Sequence, residues 1–102
     1  MLELWQTEWC RASHRVRERL TELGIDFVAH QVPVRREERE ELVRATGATT
    51  IPVLVLDGGE TLVGEEAIGA YLDGVREPPG AETHRLKAAK ARRRYLEEAC
   101  EC

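Results

Sequence analysis

The sequence predicts an α/β domain with a four-stranded mixed sheet, in the element order β-α-β-α-β-β-α, and one further C-terminal helix. Strand-like alternation and helix-like spacing of apolar residues succeed one another along the 102 residues, which suit a single domain. A helix between the first two strands favours a parallel pair with a right-handed crossover. Asp57-Gly58-Gly59 is typical of a hairpin turn, which makes the last two strands antiparallel.

Local patterns define each element. Leu2 to Gln6 alternates apolar and polar residues, Ile25 to Val32 is rich in β-forming residues, and Ile51 to Leu56 is a continuous apolar run. The fourth predicted strand is Thr61 to Val63. Four helices are predicted. The first begins at Cys10 and ends before Gly24, and the second covers Glu37 to Thr46, with Leu42, Val43 and Ala45 facing inward. The third covers Glu65 to Leu72, and the fourth covers Ala81 to about Glu98.

Composition indicates a folded globular protein. Apolar residues make up 42% and charged residues 33% of the chain, and the net charge is −4. No apolar run is long enough to cross a bilayer, and the first residues lack the basic and apolar regions of a secretion signal. We therefore expect a cytoplasmic protein with no membrane partner.

The C-terminal part differs from the rest in charge. Residues 1–81 hold nine Lys and Arg against fifteen Asp and Glu, whereas residues 82–102 hold six against four. We expect a domain over 1–77, a linker at Pro78-Pro79-Gly80 (78–80) and a basic helical tail over 81–102. Since Tyr95 is the only aromatic residue in that tail, we expect it to dock on the domain and to have no nucleic-acid partner.

Cys10 is the candidate for chemistry among the three cysteines. It lies where the first strand meets the first helix, and free N–H groups and the helix dipole stabilise a thiolate there, with further positive potential from Arg11, His14 and Arg15. Three residues later stands Ser13, which offers the thiolate a hydrogen bond or caps the helix but forms no disulfide. The sequence therefore predicts a nucleophilic thiol that works alone.

The other cysteines lie near the end of the chain. Together with Cys10, Cys100 and Cys102 bring the number of cysteines to three, an odd number that does not make a secreted disulfide framework. Two soft ligands are too few for a closed zinc site, so we expect no metal site. A mobile resolving pair of thiols stays open as an alternative role.

Two further loops complete a predicted binding site. A proline that opens a buried strand makes sense if the Ile51–Pro52 bond is cis, which presents the backbone of Ile51 to a peptide-like thiol. At the start of the third helix, Glu65 and Glu66 are placed to hold an amino group, while the helix N-terminus suits a carboxylate. Together the three loops fit a tripeptide thiol.

Over residues 2–73 the chain resembles glutaredoxins and the N-terminal domain of glutathione transferases, both of thioredoxin-like fold. The resemblance rests on Trp9-Cys10-Arg11-Ala12-Ser13, on Thr50-Ile51-Pro52, and on Gly64-Glu65-Glu66-Ala67-Ile68 with Tyr71-Leu72. It implies a monothiol thiol–disulfide oxidoreductase that uses glutathione or a related small thiol, acts on glutathionylated or disulfide proteins and requires no bound cofactor. By this resemblance, the family's glutathione-binding roles fall on Cys10, Ile51 and Glu65 or Glu66. Together with the residues argued above, the predicted catalytic residues are Cys10 and Ser13, and the predicted glutathione-binding residues are Arg11, Ile51, Pro52, Glu65 and Glu66.

Several alternatives stay open at this point. The fold also serves non-catalytic thiol binding or protein interaction, and a dimer sharing an iron–sulfur cluster through Cys10 is a third possibility. The charges Arg15, Arg17, Arg35, Arg36 and Arg39 are interpreted as mostly solvated. One of the last three is a candidate to meet a glutathione carboxylate.

Overall fold

The computed structural model describes residues 1–75 and 79–94. The strands are β1 (Leu2–Gln6), β2 (Phe27–Gln31), β3 (Val53–Val55) and β4 (Thr61–Val63). The helices are α1 (Arg11–Leu23), α2 (Glu40–Thr46), α3 (Glu65–Asp73) and α4 (Ala81–Arg92), and a short 3-10 helix, Arg36–Glu38, precedes α2. This order confirms the predicted β-α-β-α-β-β-α arrangement with one additional helix.

The sheet is mixed, with the strand order β2-β1-β3-β4. Strand β1 pairs in parallel with β2 and antiparallel with β3, and β4 is antiparallel to β3. Because of these directions, the C-terminal ends of β1 and β2 and the N-terminal end of β3 meet at one edge of the sheet. We call this edge the thiol edge, since the loop that carries Cys10 starts there and the segment that carries Ile51 ends there.

Apolar residues cover both faces of the sheet. One cluster joins α1 and α3 to the strands, and its fully buried members include Leu4, Leu20, Leu54 and Ile68. A smaller cluster under α2 on the opposite face contains Val32, Leu42 and Val53. Neighbouring residues such as Val53 and Leu54 thus face opposite sides, as the two-residue period of a strand requires.

The second helix differs from its predicted form. The backbone of Arg39, at φ −89° and ψ +48°, separates the 3-10 helix from α2, so α2 begins at Glu40 and not at Glu37. Only Leu42 of the three predicted inward residues is buried, whereas Val43 and Ala45 are exposed. The prediction was wrong here because α2 is short and buries only a narrow face: Val43 lies about 100° around the helix from Leu42, and Ala45 lies about 60° to the other side.

Helix α4 lies against α1. The His84 Nε2 lies 2.7 Å from the Thr21 carbonyl oxygen, and the Arg92 guanidinium is 2.7 Å from a carboxylate oxygen of Glu18. Later residues of α4 thus meet earlier residues of α1, so the two helices run in opposite directions. Pro78, Tyr95, Glu98, Cys100 and Cys102, on which parts of the sequence interpretation fell, lie outside the described residues. Among the helices described, none is long and apolar enough to cross a membrane.

Candidate active site

Cys10 occupies the N-cap position of α1. Its backbone is extended, at φ −76° and ψ 120°, and its carbonyl accepts the first helical hydrogen bond from the His14 N–H at 2.9 Å. The half-buried Sγ accepts a hydrogen bond from the Ser13 N–H at 3.4 Å. The sulfur therefore takes the place of the oxygen that usually caps a helix and faces the free N–H groups of the first turn.

The surroundings of Cys10 lower the pKa of its thiol. Burial alone raises this pKa, but the Ser13 hydroxyl, the N–H groups of Ser13 and Ala12, and the charge of Arg17 together outweigh it. The fully buried Ser13 Oγ lies near the sulfur without meeting strict hydrogen-bond geometry to any described atom. Among the described contacts, the backbone N–H of Ser13 is therefore the group whose hydrogen bond to the sulfur has regular geometry.

Arg17 supplies the cationic contribution at the thiol. It lies seven residues after Cys10, on the same face of α1, and donates hydrogen bonds to the Gln6 side chain and, at 3.2 Å, to the Thr7 carbonyl. The sequence interpretation named Arg11, His14 and Arg15 for this role and omitted Arg17, although Arg15 also interacts with a Cys10 thiolate. The helical spacing from Cys10 to Arg17 is the signal that could have identified it.

The Ile51–Pro52 peptide bond is cis, as the sequence predicts. The Pro52 carbonyl accepts a hydrogen bond from the Gly64 N–H at 2.8 Å, which ties this segment to the start of α3. No described residue bonds the N–H or the C=O of Ile51. Since β3 begins beside the end of β1, these free groups lie at the thiol edge.

The start of α3 carries an ion pair that the sequence interpretation did not foresee. Two of the three guanidinium nitrogens of Arg15, Nε and Nη2, donate to the two carboxylate oxygens of Glu65, and the Nη2 bond is 2.9 Å long. This bidentate pair lowers the pKa of the Glu65 carboxyl, although desolvation acts in the opposite direction. It also raises the pKa of the Arg15 guanidinium, and the charge of a Cys10 thiolate raises that pKa further. Arg15 thus stands between the thiol and α3 and is not simply a solvated charge.

The structure therefore places most, but not all, of the predicted site residues together. Cys10 and Ser13 are in contact, Glu65 is joined to the thiol environment through Arg15, and Ile51 and Pro52 border the same edge. Arg11 and Glu66 are exposed, and neither side chain bonds another described residue.

The acidity of the thiol can be measured through its reaction with iodoacetamide. In a variant with Cys100→Ser and Cys102→Ser, we expect the rate to follow a titration with a midpoint below about 8.5, the value of a free thiol. In the same background, Arg17→Gln should move the midpoint upward, because the loss of a nearby cation disfavours the thiolate. A midpoint at the free-thiol value, or no shift with Arg17→Gln, would contradict the geometry above.

The chain is similar in sequence to known proteins. The Glutaredoxin family model matches residues 2–60. A glutaredoxin of Pseudomonas aeruginosa is 36% identical over 61 residues, which are 60% of this chain and 70% of that protein.

Solved structures show the same fold. A glutathione S-transferase domain-containing protein of Marinobacter aquaeolei is 29% identical, with a TM-score of 0.62 over 90% of this chain and 49% of the other. A glutathione transferase homologue from Sulfitobacter, solved with bound glutathione, is 22% identical, with a TM-score of 0.66 over 96% of this chain and 49% of the other. This chain thus spans about half the length of these transferase structures. With a thioredoxin-like fold and a family match over more than half of its residues, the chain belongs to the glutaredoxin family.

Proposed function

We propose that this protein is a monothiol oxidoreductase that exchanges disulfides with glutathione, or a related small thiol, through Cys10. The observation that carries the proposal is the position of Sγ at the N-cap of α1, where the Ser13 N–H and the charge of Arg17 favour the thiolate. A thiolate is the form of cysteine that attacks disulfides.

The reaction consists of two exchanges. In the first, the Cys10 thiolate attacks the glutathione sulfur of a mixed disulfide, a Cys10–glutathione disulfide forms, and the substrate thiolate leaves and takes a proton from water. In the second, the thiolate of another glutathione attacks the glutathione sulfur held on Cys10, which releases oxidised glutathione and restores the Cys10 thiolate. No electron acceptor other than the disulfides is needed.

Two features of the thiol edge support glutathione as the small thiol. The free N–H and C=O of Ile51 suit the main chain of an extended peptide, which would pair with them as an added strand. The Arg15–Glu65 pair presents a guanidinium and a carboxylate side by side. The guanidinium complements the α-carboxylate of an amino acid, and the carboxylate complements its α-ammonium group. Glutathione has both a peptide backbone and such an end.

Protein disulfides are the proposed larger substrates. Trp9, next to the thiol in sequence, is 69% exposed, a large apolar surface that a protein partner would cover. Arg11, at the first position of α1, is exposed and available to an acidic group of the substrate.

The proposal is tested by an assay in which glutathione reductase and NADPH report oxidised glutathione. The full chain should accelerate the reduction of the cysteine–glutathione mixed disulfide by glutathione. Treatment with oxidised glutathione should add one glutathione to Cys10, as detected by mass spectrometry. A rate equal to the uncatalysed background would overturn the enzymatic proposal and favour a thiol-binding or protein-interaction module.

Ser13 should assist the reaction without being essential. Ser13→Ala removes a buried hydroxyl near Sγ but keeps the backbone N–H that bonds it. One hydrogen bond to a charged group corresponds to about 1.5 to 3 kcal/mol, and the imperfect geometry here places the effect near the lower end, about tenfold in rate. The same assay measures it, and an activity as low as that of a Cys10 variant would show that Ser13 has a larger role.

A further inference from the structure

Arg39 is a buried cation at the thiol edge that the sequence interpretation took for a solvated charge. Its side chain is only 8% exposed, and it donates three hydrogen bonds to backbone carbonyls. Nε bonds the Pro33 oxygen at 2.8 Å, Nη2 the Val34 oxygen at 3.0 Å, and Nη1 the Thr49 oxygen at 2.8 Å. No carboxylate of a described residue pairs with it.

These three carbonyls belong to two loops, one of which starts at the thiol edge and the other of which ends there. Pro33 and Val34 follow β2, and Thr49 lies two residues before Ile51. Arg39 itself forms the junction between the 3-10 helix and α2, and its carbonyl accepts from the Val43 N–H at 3.1 Å. One guanidinium thus joins the loop after β2, the start of α2 and the segment that leads to the cis peptide bond.

We propose that Arg39 is a positioning residue of the thiol site, which holds the free backbone edge of Ile51 in place by bonding the Thr49 carbonyl. The proposal rests on the proposed function, because that edge is where the glutathione backbone pairs. Arg39 is also removed from the candidates for a glutathione carboxylate, since its Nε, Nη1 and Nη2 are already engaged in the interior.

The shape of the guanidinium explains why an arginine stands here. Its five N–H donors diverge in one plane and reach three separate carbonyls at once. A lysine keeps the charge but offers one nitrogen at one point, so it cannot reproduce three bonds in three directions. A glutamine keeps part of the length but loses the charge and most of the donors. The two substitutions therefore remove the bonds in a graded way.

The experiment compares Arg39→Lys and Arg39→Gln with the wild-type full chain. The control is Arg44→Gln, which removes the same charge from an exposed position of α2. KM and kcat are measured with the cysteine–glutathione mixed disulfide, and the alkylation of Cys10 by iodoacetamide is followed against pH. The small alkylating reagent needs only the thiol, whereas the mixed disulfide needs the Ile51 edge as well.

We expect KM to rise about tenfold in Arg39→Gln and less in Arg39→Lys, while kcat and the pH midpoint of alkylation stay at wild-type values in both. In the Arg44→Gln control, all three quantities should equal those of the wild type. An unchanged KM in Arg39→Gln would overturn the inference. So would an equal loss in alkylation, because it would show general damage to the domain. If Arg39→Gln does not fold, Arg39→Lys decides by the same criteria.

An independent measurement separates this inference from the proposed function. The amide resonances of Thr50 and Ile51 in ¹⁵N-labelled protein should shift and broaden in the Arg39 variants and not in Arg44→Gln. Unperturbed amides would overturn the positioning role even if activity fell. A wild-type chain without glutathione-dependent activity would instead overturn the proposed function, and with it the link of Arg39 to the thiol. The amide resonances of Thr50 and Ile51 would still report whether Arg39 holds this segment.

Discussion

Replacing Cys10 by serine should reduce the glutathione-dependent reduction of mixed disulfides to the uncatalysed background. A serine hydroxyl is not ionised near neutral pH and does not attack a sulfur, so neither exchange can begin. The effect should be far larger than that of Ser13→Ala, which leaves the nucleophile and its backbone hydrogen bond in place. Initial rates in the coupled assay, with protein concentration varied, measure both variants.

The control for this prediction concerns the other two thiols of the chain. A variant with Cys100→Ser and Cys102→Ser should keep the wild-type rate, because the proposed cycle uses only Cys10 and glutathione. Wild-type activity in Cys10→Ser would show that the C-terminal cysteines carry the reaction. A Cys10–Cys100 or Cys10–Cys102 disulfide in the oxidised monomer would replace the monothiol cycle by a dithiol one.

Leu20→Ala should strongly lower the stability of the domain. Leu20 is fully buried in the cluster that holds α1 against the sheet, together with residues of β1, β3 and α3. The lost burial and the remaining cavity should lower the free energy of unfolding by about 2 to 5 kcal/mol. Urea denaturation monitored by far-UV circular dichroism measures this change.

Leu86→Ala is the matched control, since it is the same chemical change on the exposed side of α4. Leu86 is 68% exposed, so its truncation should change the free energy of unfolding by less than about 0.5 kcal/mol. Equal effects of the two substitutions would show that Leu86 is covered in solution. A small effect at Leu20 would contradict the packing of α1 described above.

The fold was largely predictable from the sequence because its signals are local. The alternation in β1, the spacing of Val16, Leu20 and Leu23, and the turn between β3 and β4 each depend on residues close together in the chain. The cis bond at Pro52 was predictable for the same reason, since a proline that opens a strand is a local anomaly.

The arginines of the site were not predictable in this way. Arg15 meets Glu65 fifty residues away, and Arg39, at the start of α2, meets the carbonyl of Thr49 beyond the end of that helix. An arginine in a polar segment has the same sequence signature whether it is solvated or buried, because its partners are chosen by the tertiary fold. Only the spacing of Arg39 from Leu42 and Thr46, which places the three on one helical face, hinted at an inward orientation.

The serine at position 13 has a consequence for how the protein would respond to its surroundings. A dithiol that closes its own disulfide releases two glutathione molecules for each oxidised glutathione that it consumes. The ratio of its oxidised to its reduced form is therefore proportional to the concentration of oxidised glutathione divided by the square of the concentration of reduced glutathione. In the proposed cycle, with one thiol at the N-cap of α1 and Ser13 in place of a second one, a single glutathione would enter and a single one would leave. At equilibrium the glutathionylated fraction of Cys10 would then follow the simple ratio of oxidised to reduced glutathione and would not change when both are diluted together.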